Sequence, residues 1–341
     1  MCAGICAKIM AVTLTYSGTC PEACPGTDSP VPSASSASAA SPSAAPSASS
    51  PPRATSARHP EGGSTPSPRP RLIATDLDGT LLRHDKTVSR RTISALLAAA
   101  RAGIGFLMVT GRPARWMTVV GDLIRQLPGS PVAICANGAA VVDLRHGRHR
   151  LVDVHPLDRR DALATVHALR AAAPGVTFAV ESTRGIHYDP DYPPFFPGDP
   201  TATTGPVDPL LALAPAAGAA PVIKLLAHHR ELDPDDFLAL ARRTAGGHGQ
   251  ITRSSPTALL EVSRSGVSKA TTLARYCARL GIRREEVVAF GDMPNDLEML
   301  AWAGTSYAMA NAHPDVLAAT PLHTVSNQED GVAAVVETLL P

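Results

Sequence analysis

The sequence has no uninterrupted run of 18 apolar residues, so no transmembrane helix is expected. It lacks a basic excess as well. Its 31 Lys and Arg against 30 Asp and Glu leave a formal charge of +1, and a general polyanion binder needs a surplus. The run LRHGRHRL (144–151) is locally basic but reads as a solvated hairpin turn. The twelve histidines form no H-E-x-x-H zinc pattern, and the pair His228-His229 is read as surface.

Bulky apolar residues are missing from Pro21 to Pro70, Val31 apart. Ser, Ala and Pro dominate there, and such a segment cannot bury enough apolar surface to offset its ordering entropy. Residues 1–70 are therefore expected to be a disordered tail. The opening MCAGICAKIMAVTLTYSGTC carries one lysine and a short apolar run broken by threonines, which makes a poor secretory signal. The six cysteines suggest no disulfide framework. Cys2, Cys6, Cys20 and Cys24 form two C-x3-C pairs in the tail, a spacing that could hold zinc. With nothing nearby to fold around a metal, loose thiols are the simpler reading. Cys135 and Cys277 sit in apolar surroundings as core thiols, and a reducing cytoplasm is the default location.

What is present begins at Leu72. Short apolar runs at 72–75, 105–109 (GFLMV), 132–135 (VAIC) and 287–290 (VVAF) read as strands. Helical patterns such as TISALLAAARAG and KATTLARYCARLG alternate with them, each closing on glycine. Runs apolar on both faces, alternating with helices, indicate a Rossmann-like parallel sheet covered on both sides: an α/β core. Residues 156–262 differ. Asp158 can cap a helix through about Ala172; VTFAVES, VIKLLA and ALLEV are strand-like, and DPDDFLALARRTAG is helical. The proline-rich DPDYPPFFPGDPTATTGP (189–206) has no regular pattern. The expected organisation is a core of residues 71–155 and 263–341, with an inserted α+β cap over 156–262.

The core strands end at polar residues: Asp76 and Asp78 after the first, Thr110-Gly111-Arg112 after the second, Asn137-Gly138 after the third, Gly291-Asp292 after the late one. Ligands bind at the carboxyl ends of parallel strands near a switch in strand order, so these distant residues are expected to share a cleft. Asp292 and Asp296 are four apart, on one face if a helix starts there. Three or four carboxylates in one cleft demand a hard cation, for which magnesium suits an oxygen-rich site. Lys269 adds a positive charge, and Thr110 with neighbouring N–H groups could hold phosphate oxygens. Each piece alone is also an ordinary turn or helix start; in this order, at strand ends and helix starts, they read together as a site.

The segments DLDGTLL, TGRP, the lysine of GVSKA and GDMPND resemble the four motifs of the haloacid dehalogenase superfamily, and the large inserted cap is similar to that of its Cof-type phosphatases. The resemblance covers residues 70–341. It implies that Asp76 is a nucleophile forming an aspartyl-phosphate and that Asp78 is a general acid/base able to keep a proton. It implies Mg2+ held by Asp76, the main-chain carbonyl of Asp78 and Asp292, with Asp296 in support. Thr110 and Lys269 match phosphate-holding positions, with contacts implied from Leu77, Gly111 and Asn295; Arg112 and Asn137 resemble residues that face the substrate. The implied partner is a small phosphorylated metabolite, with neither nucleic acid nor membrane. Two alternatives stay open: a phosphomutase of the same superfamily, and a phospho-ligand-binding protein without turnover. Asp78 counts against a dehalogenase.

Overall fold

The computed structural model describes residues 69–129, 131–145, 149–193, 198–212 and 219–340, all within one unit, Ser64–Pro341. The expected tail and its four cysteines lie outside the described residues, Arg69 and Pro70 apart. In chain order come β1 (Leu72–Thr75), α1 (Arg90–Arg101), β2 (Gly105–Val109), α2 (Gly121–Gln126), β3 (Val132–Cys135), β4 (Ala140–Asp143) and β5 (Arg150–Val154). A second group follows: α3 (Arg159–Ala172), β6 (Thr177–Ser182), β7 (Ile186–Tyr188), β8 (Thr203–Thr204), α4 (Val207–Ala212), β9 (Val222–His228), α5 (Pro234–Ala245), β10 (Gln250–Thr252) and β11 (Leu259–Ser263). The last part holds α6 (Lys269–Arg279), β12 (Val287–Gly291), α7 (Leu297–Trp302), β13 (Thr305–Met309), α8 (Pro314–Ala319), β14 (Leu322–Thr324) and α9 (Gly331–Thr338).

Eight strands form one sheet in the order β14-β13-β12-β1-β2-β3-β4-β5. Neighbours from β14 through β3 are parallel, whereas β4 and β5 are added antiparallel. Period-two alternation explains the burial of β1. Leu72 and Ala74 face Leu273, Met299 and Val316 of α6, α7 and α8; Ile73 faces Leu96 of α1 and Val332 of α9. Strand order reverses at β1, with β2 on one side and β12 on the other, which opens the cleft at its carboxyl end.

The second group builds a six-stranded sheet, β10-β11-β9-β6-β7-β8, antiparallel except for the β7–β8 pair. Helices cover one face: Val166, Leu169, Phe237 and Ala241 pack on Phe178, Leu225 and Leu260. Their starts are written locally, since Asp158 accepts from Arg160 N and Asp233 from Asp235 N, each filling an orphan helix donor. The opposite face carries Ala179, Leu226, Tyr188 and Tyr192. Within the proline-rich 189–206 segment only the two-residue β8 is regular among the described residues. No helix among the described residues is long and apolar enough to cross a membrane.

The surface reading of His228-His229 is corrected: they are 8% and 9% exposed. His228 lies edge-on to Tyr192, and His229 packs on Phe237 while its Nε2 meets the Pro174 carbonyl at 3.0 Å. His229 Nδ1 accepts from the N–H groups of Glu231 and Leu232, so the ring ties down the turn after β9.

Candidate active site

The β1 ladder runs on through Asp76, whose N–H donates to the Phe290 carbonyl at 3.0 Å. The chain then turns sharply, with N–H groups of Thr80 and Leu82 both bonded to the Leu77 carbonyl. Gly79 sits at φ +80°, and a Cβ there would lie 2.1 Å from Asp292 Oδ2, so conformation and space both require glycine. Thr80 Oγ1 donates to Asp292 Oδ1 at 2.8 Å, joining the first motif to the last.

Asp76, Asp292 and Asp296 are buried, and each offers a carboxylate oxygen within 4.8 Å of the others. Lys269, the first residue of α6, reaches between them: Nζ lies 2.5 Å from Asp76 Oδ1 and 2.7 Å from Asp296 Oδ1. Asp296 Oδ2 accepts from the N–H groups of Asp292 and Met293, which fixes the turn. Two of the three carboxylates thus share one ammonium, and Asp292 lies beside them. Burial, and then the charges of Asp296 and Asp292, push Asp76 well above the usual carboxylate range against the pull of Lys269. Burial and Asp296 raise Asp292 to about 7. Burial alone would lower Lys269, but Asp296 and Asp76 outweigh it and hold the ammonium charged.

Asp78 behaves differently from its neighbour. Burial pushes its carboxyl up, but hydrogen bonds and charge from Arg112, then Lys86, win and hold it below the usual range. Arg112 grips it with Nε at 2.5 Å and Nη2 at 2.7 Å, and Lys86 Nζ lies at 2.9 Å. Asp78, expected to be able to keep a proton, is held low in this arrangement, and the raised carboxyls are those of Asp76 and Asp292.

The remaining expected residues line up through the backbone. Thr110 is buried; its N–H donates to the Ile134 carbonyl and its Oγ1 accepts from Arg112 N. Asn137 is left-handed at φ 53°, with its N–H on the Thr110 carbonyl at 3.1 Å. Asn137 Oδ1 accepts from Asn295 Nδ2 at 3.1 Å. The Gly138 carbonyl accepts from Thr272 Oγ1 at 2.9 Å, tying this turn to the helix that carries Lys269. Leu77 is the exception: its side chain enters the core, leaving only main chain for the cleft.

Sequence reasoning missed the residues that close the cleft from the second sheet. Lys224 Nζ donates to the Gly111 carbonyl at 2.9 Å, and Glu261 accepts from Asn137 Nδ2 at 2.7 Å. Arg115, beyond TGRP, pairs with Glu181 and with Asp199 at 2.8 Å. Their signal was present: Lys224 interrupts VIKLLA, and Glu261 interrupts ALLEV, charges inside otherwise apolar strands.

A family model described as haloacid dehalogenase-like hydrolase matches residues 73–336. The 5-amino-6-(5-phospho-D-ribitylamino)uracil phosphatase of Bacillus subtilis (strain 168) is 29% identical over 273 residues, covering 78% of this chain and 96% of its own. The pyridoxal phosphate phosphatase of Escherichia coli (strain K12) is 28% identical over 270 residues, 77% of this chain and 96% of its own. A solved haloacid dehalogenase-like hydrolase from B. subtilis superposes with a TM-score of 0.65 at 26% identity, over 79% of this chain and 100% of that one. Four motifs meeting at the ends of parallel strands, under an antiparallel second sheet, agree with that match: the chain belongs to the haloacid dehalogenase superfamily, among its Cof-type phosphatases, and is a phosphoric monoester hydrolase.

Proposed function

We propose that the protein is a magnesium-dependent phosphatase that hydrolyses small phosphomonoesters, sugar or cofactor phosphates, through an aspartyl-phosphate on Asp76. The observation that carries this reading is the buried cluster of Asp76, Asp292 and Asp296 around Lys269. Its donors are all carboxylate oxygens and its negative charge exceeds the one ammonium, which fits a hard divalent cation. Asp76, Asp292 and the main-chain carbonyl of Asp78 would hold Mg2+, with Asp296 bracing Asp292 and Lys269. Bound there, the ion would neutralise charge on the transferring phosphoryl group.

The chain's own residues supply the rest. Asp76 attacks phosphorus: an O–P bond forms as the bond to the leaving oxygen breaks, and Asp78 gives that oxygen its proton. Water then attacks the aspartyl-phosphate, Asp78 takes the water proton, and phosphate and the Asp76 carboxylate are regenerated. Thr110, main-chain N–H groups near Leu77 and Gly111, Lys269 and Asn295 hold the phosphoryl oxygens. An arriving phosphate competes for the Arg112 guanidinium and draws it off Asp78, so that the carboxylate takes up a proton from solvent or from the phosphate monoanion, and this is the proton it passes to the leaving oxygen. In this reading residues 71–155 and 263–341 are the catalytic core, and 156–262 are a cap that excludes water while the intermediate exists.

Phosphate release from p-nitrophenyl phosphate, with magnesium and with chelator, tests the proposal. Turnover should require the metal. Asp76→Asn should abolish it with the fold intact, because the amide is a poor nucleophile of nearly the same shape. Residual activity in Asp76→Asn above about a tenth of wild type would refute a covalent route, since a lost nucleophile removes far more.

A further inference from the structure

Two charged residues outside the four motifs, Lys224 on β9 and Glu261 on β11, are buried against the core and paired at 2.6 Å. A buried ion pair is a poor source of net stability, because desolvating both charges offsets most of the attraction. What this one supplies is direction. An ionised carboxylate can only accept hydrogen bonds. Burial pushes Glu261 up, but the charge and hydrogen bond of Lys224, then Asn137, outweigh it and keep the group ionised.

The consequence runs through two amides. Asn137 must turn its NH2 toward Glu261, at 2.7 Å, so its Oδ1 faces the other way. That oxygen accepts from Asn295 Nδ2 at 3.1 Å. Besides the second N–H of its Nδ2, which serves the phosphoryl group in the reading above, Asn295 has its own Oδ1, which is buried and has no hydrogen-bond donor among the described residues. The two ends of an amide have nearly the same shape, so its partners decide which way it points. Here the deciding partner is a carboxylate on the second sheet, and the result is an acceptor beside the metal-binding turn.

We propose that Glu261, held by Lys224, is a positioning residue: docking of the cap sets, through Asn137, the polarity of Asn295, whose free oxygen then accepts from an O–H donor in the cleft. That donor is either a hydroxyl of the substrate or the hydrolytic water. The inference rests on the phosphatase reading above. Neither cap residue touches the reacting atoms; both act through core amides.

Glu261→Gln keeps the shape but offers an NH2 as well as an oxygen, so the relay can run in either polarity. The full chain is assayed under saturating magnesium on p-nitrophenyl phosphate, which has no hydroxyl, and on glycerol phosphate, which has two. Glu261→Gln should lower kcat about tenfold, the worth of one hydrogen bond, with little change in KM. Loss on both esters assigns the donor as water; loss on glycerol phosphate alone assigns a substrate hydroxyl. In an Asn295→Ala background the same substitution should leave the residual kcat unchanged, because the end of the relay is gone. Lys224→Met loosens Glu261 but also releases the Gly111 carbonyl, so if Glu261→Gln folds poorly, only the part of its loss that vanishes in the Asn295→Ala background is assigned to the relay. Equal losses in both backgrounds, or no loss on either ester, would overturn the inference while wild-type turnover keeps the phosphatase reading. A wild type inactive on every ester would remove both.

Discussion

Asp76 and Asp78, one residue apart, are titrated in opposite directions by their surroundings. Asp76 faces two carboxylates and a lysine; Asp78 turns to an arginine and a lysine. The sequence showed the two acids but not which cations each would meet, because Arg112 and Lys86 approach from different loops. The cluster makes a pH prediction. Asp292 has its folded-state pKa raised to about 7, above the roughly 3.9 of an unfolded aspartate. Between those values the folded chain keeps a proton that the unfolded chain has released, so metal-free stability falls as pH rises through that window. Asp78, held low, acts only below it. Thermal melts from pH 5 to 8 should show the fall, magnesium should oppose it, and Asp292→Asn should flatten it. An unchanged slope in Asp292→Asn would show that burial of this carboxyl is not its cause.

Helix α6 exists to deliver a lysine, and its first turn is written locally. Ser268 Oγ accepts from Thr271 N while Thr271 Oγ1 accepts from Ser268 N, a reciprocal cap one residue before Lys269. Gly138 packs against this start at φ +102°; a Cβ there would lie 2.3 Å from the Ser268 carbonyl. Ser268→Ala should cost about 1 kcal/mol, near 2–4 °C in melting temperature, and lower kcat more than it changes KM. A full kcat with the stability loss would mean that Lys269 is placed by its ion pairs alone. At this scale the sequence was legible where strands are buried on both faces: 72–75, 105–109 and 132–135 are strands at those bounds. Strand β14 was not legible, because it is three residues long, with Leu322 and His323 exposed and Leu322 its one apolar residue. Strands β4 and β5 escaped too, since antiparallel additions at a sheet edge do not follow the alternation of strand and helix.

The described residues fold as two sheets whose facing surfaces meet over the strand ends. Apolar contact joins them beside the site, where Ile223 of β9 clusters with Ala136, Ala139 and Val267. Polar contact joins them at Gly111, Asn137 and Arg115. The strands and helices of the second sheet could be read from the change in pattern at residue 156, but the contacts they make could not, because they depend on how one sheet settles on another. A cleft closed this way predicts turnover of small phosphoesters in preference to a phosphorylated protein surface. Replacing residues 156–258 by a short linker should preserve metal binding yet erase discrimination among phosphorylated metabolites, measured as kcat/KM across a panel. A preference of the intact enzyme for a phosphoprotein over every small phosphate would contradict this.

The bond from Asn137 to Glu261 also limits how the two halves can be recombined. A chimera carrying this cap on another phosphatase core would bring the carboxylate without its amide partner unless the recipient has one at the matching turn. Grafting should therefore succeed only when the turn after β3 travels with the cap, so the unit of inheritance is larger than the inserted segment.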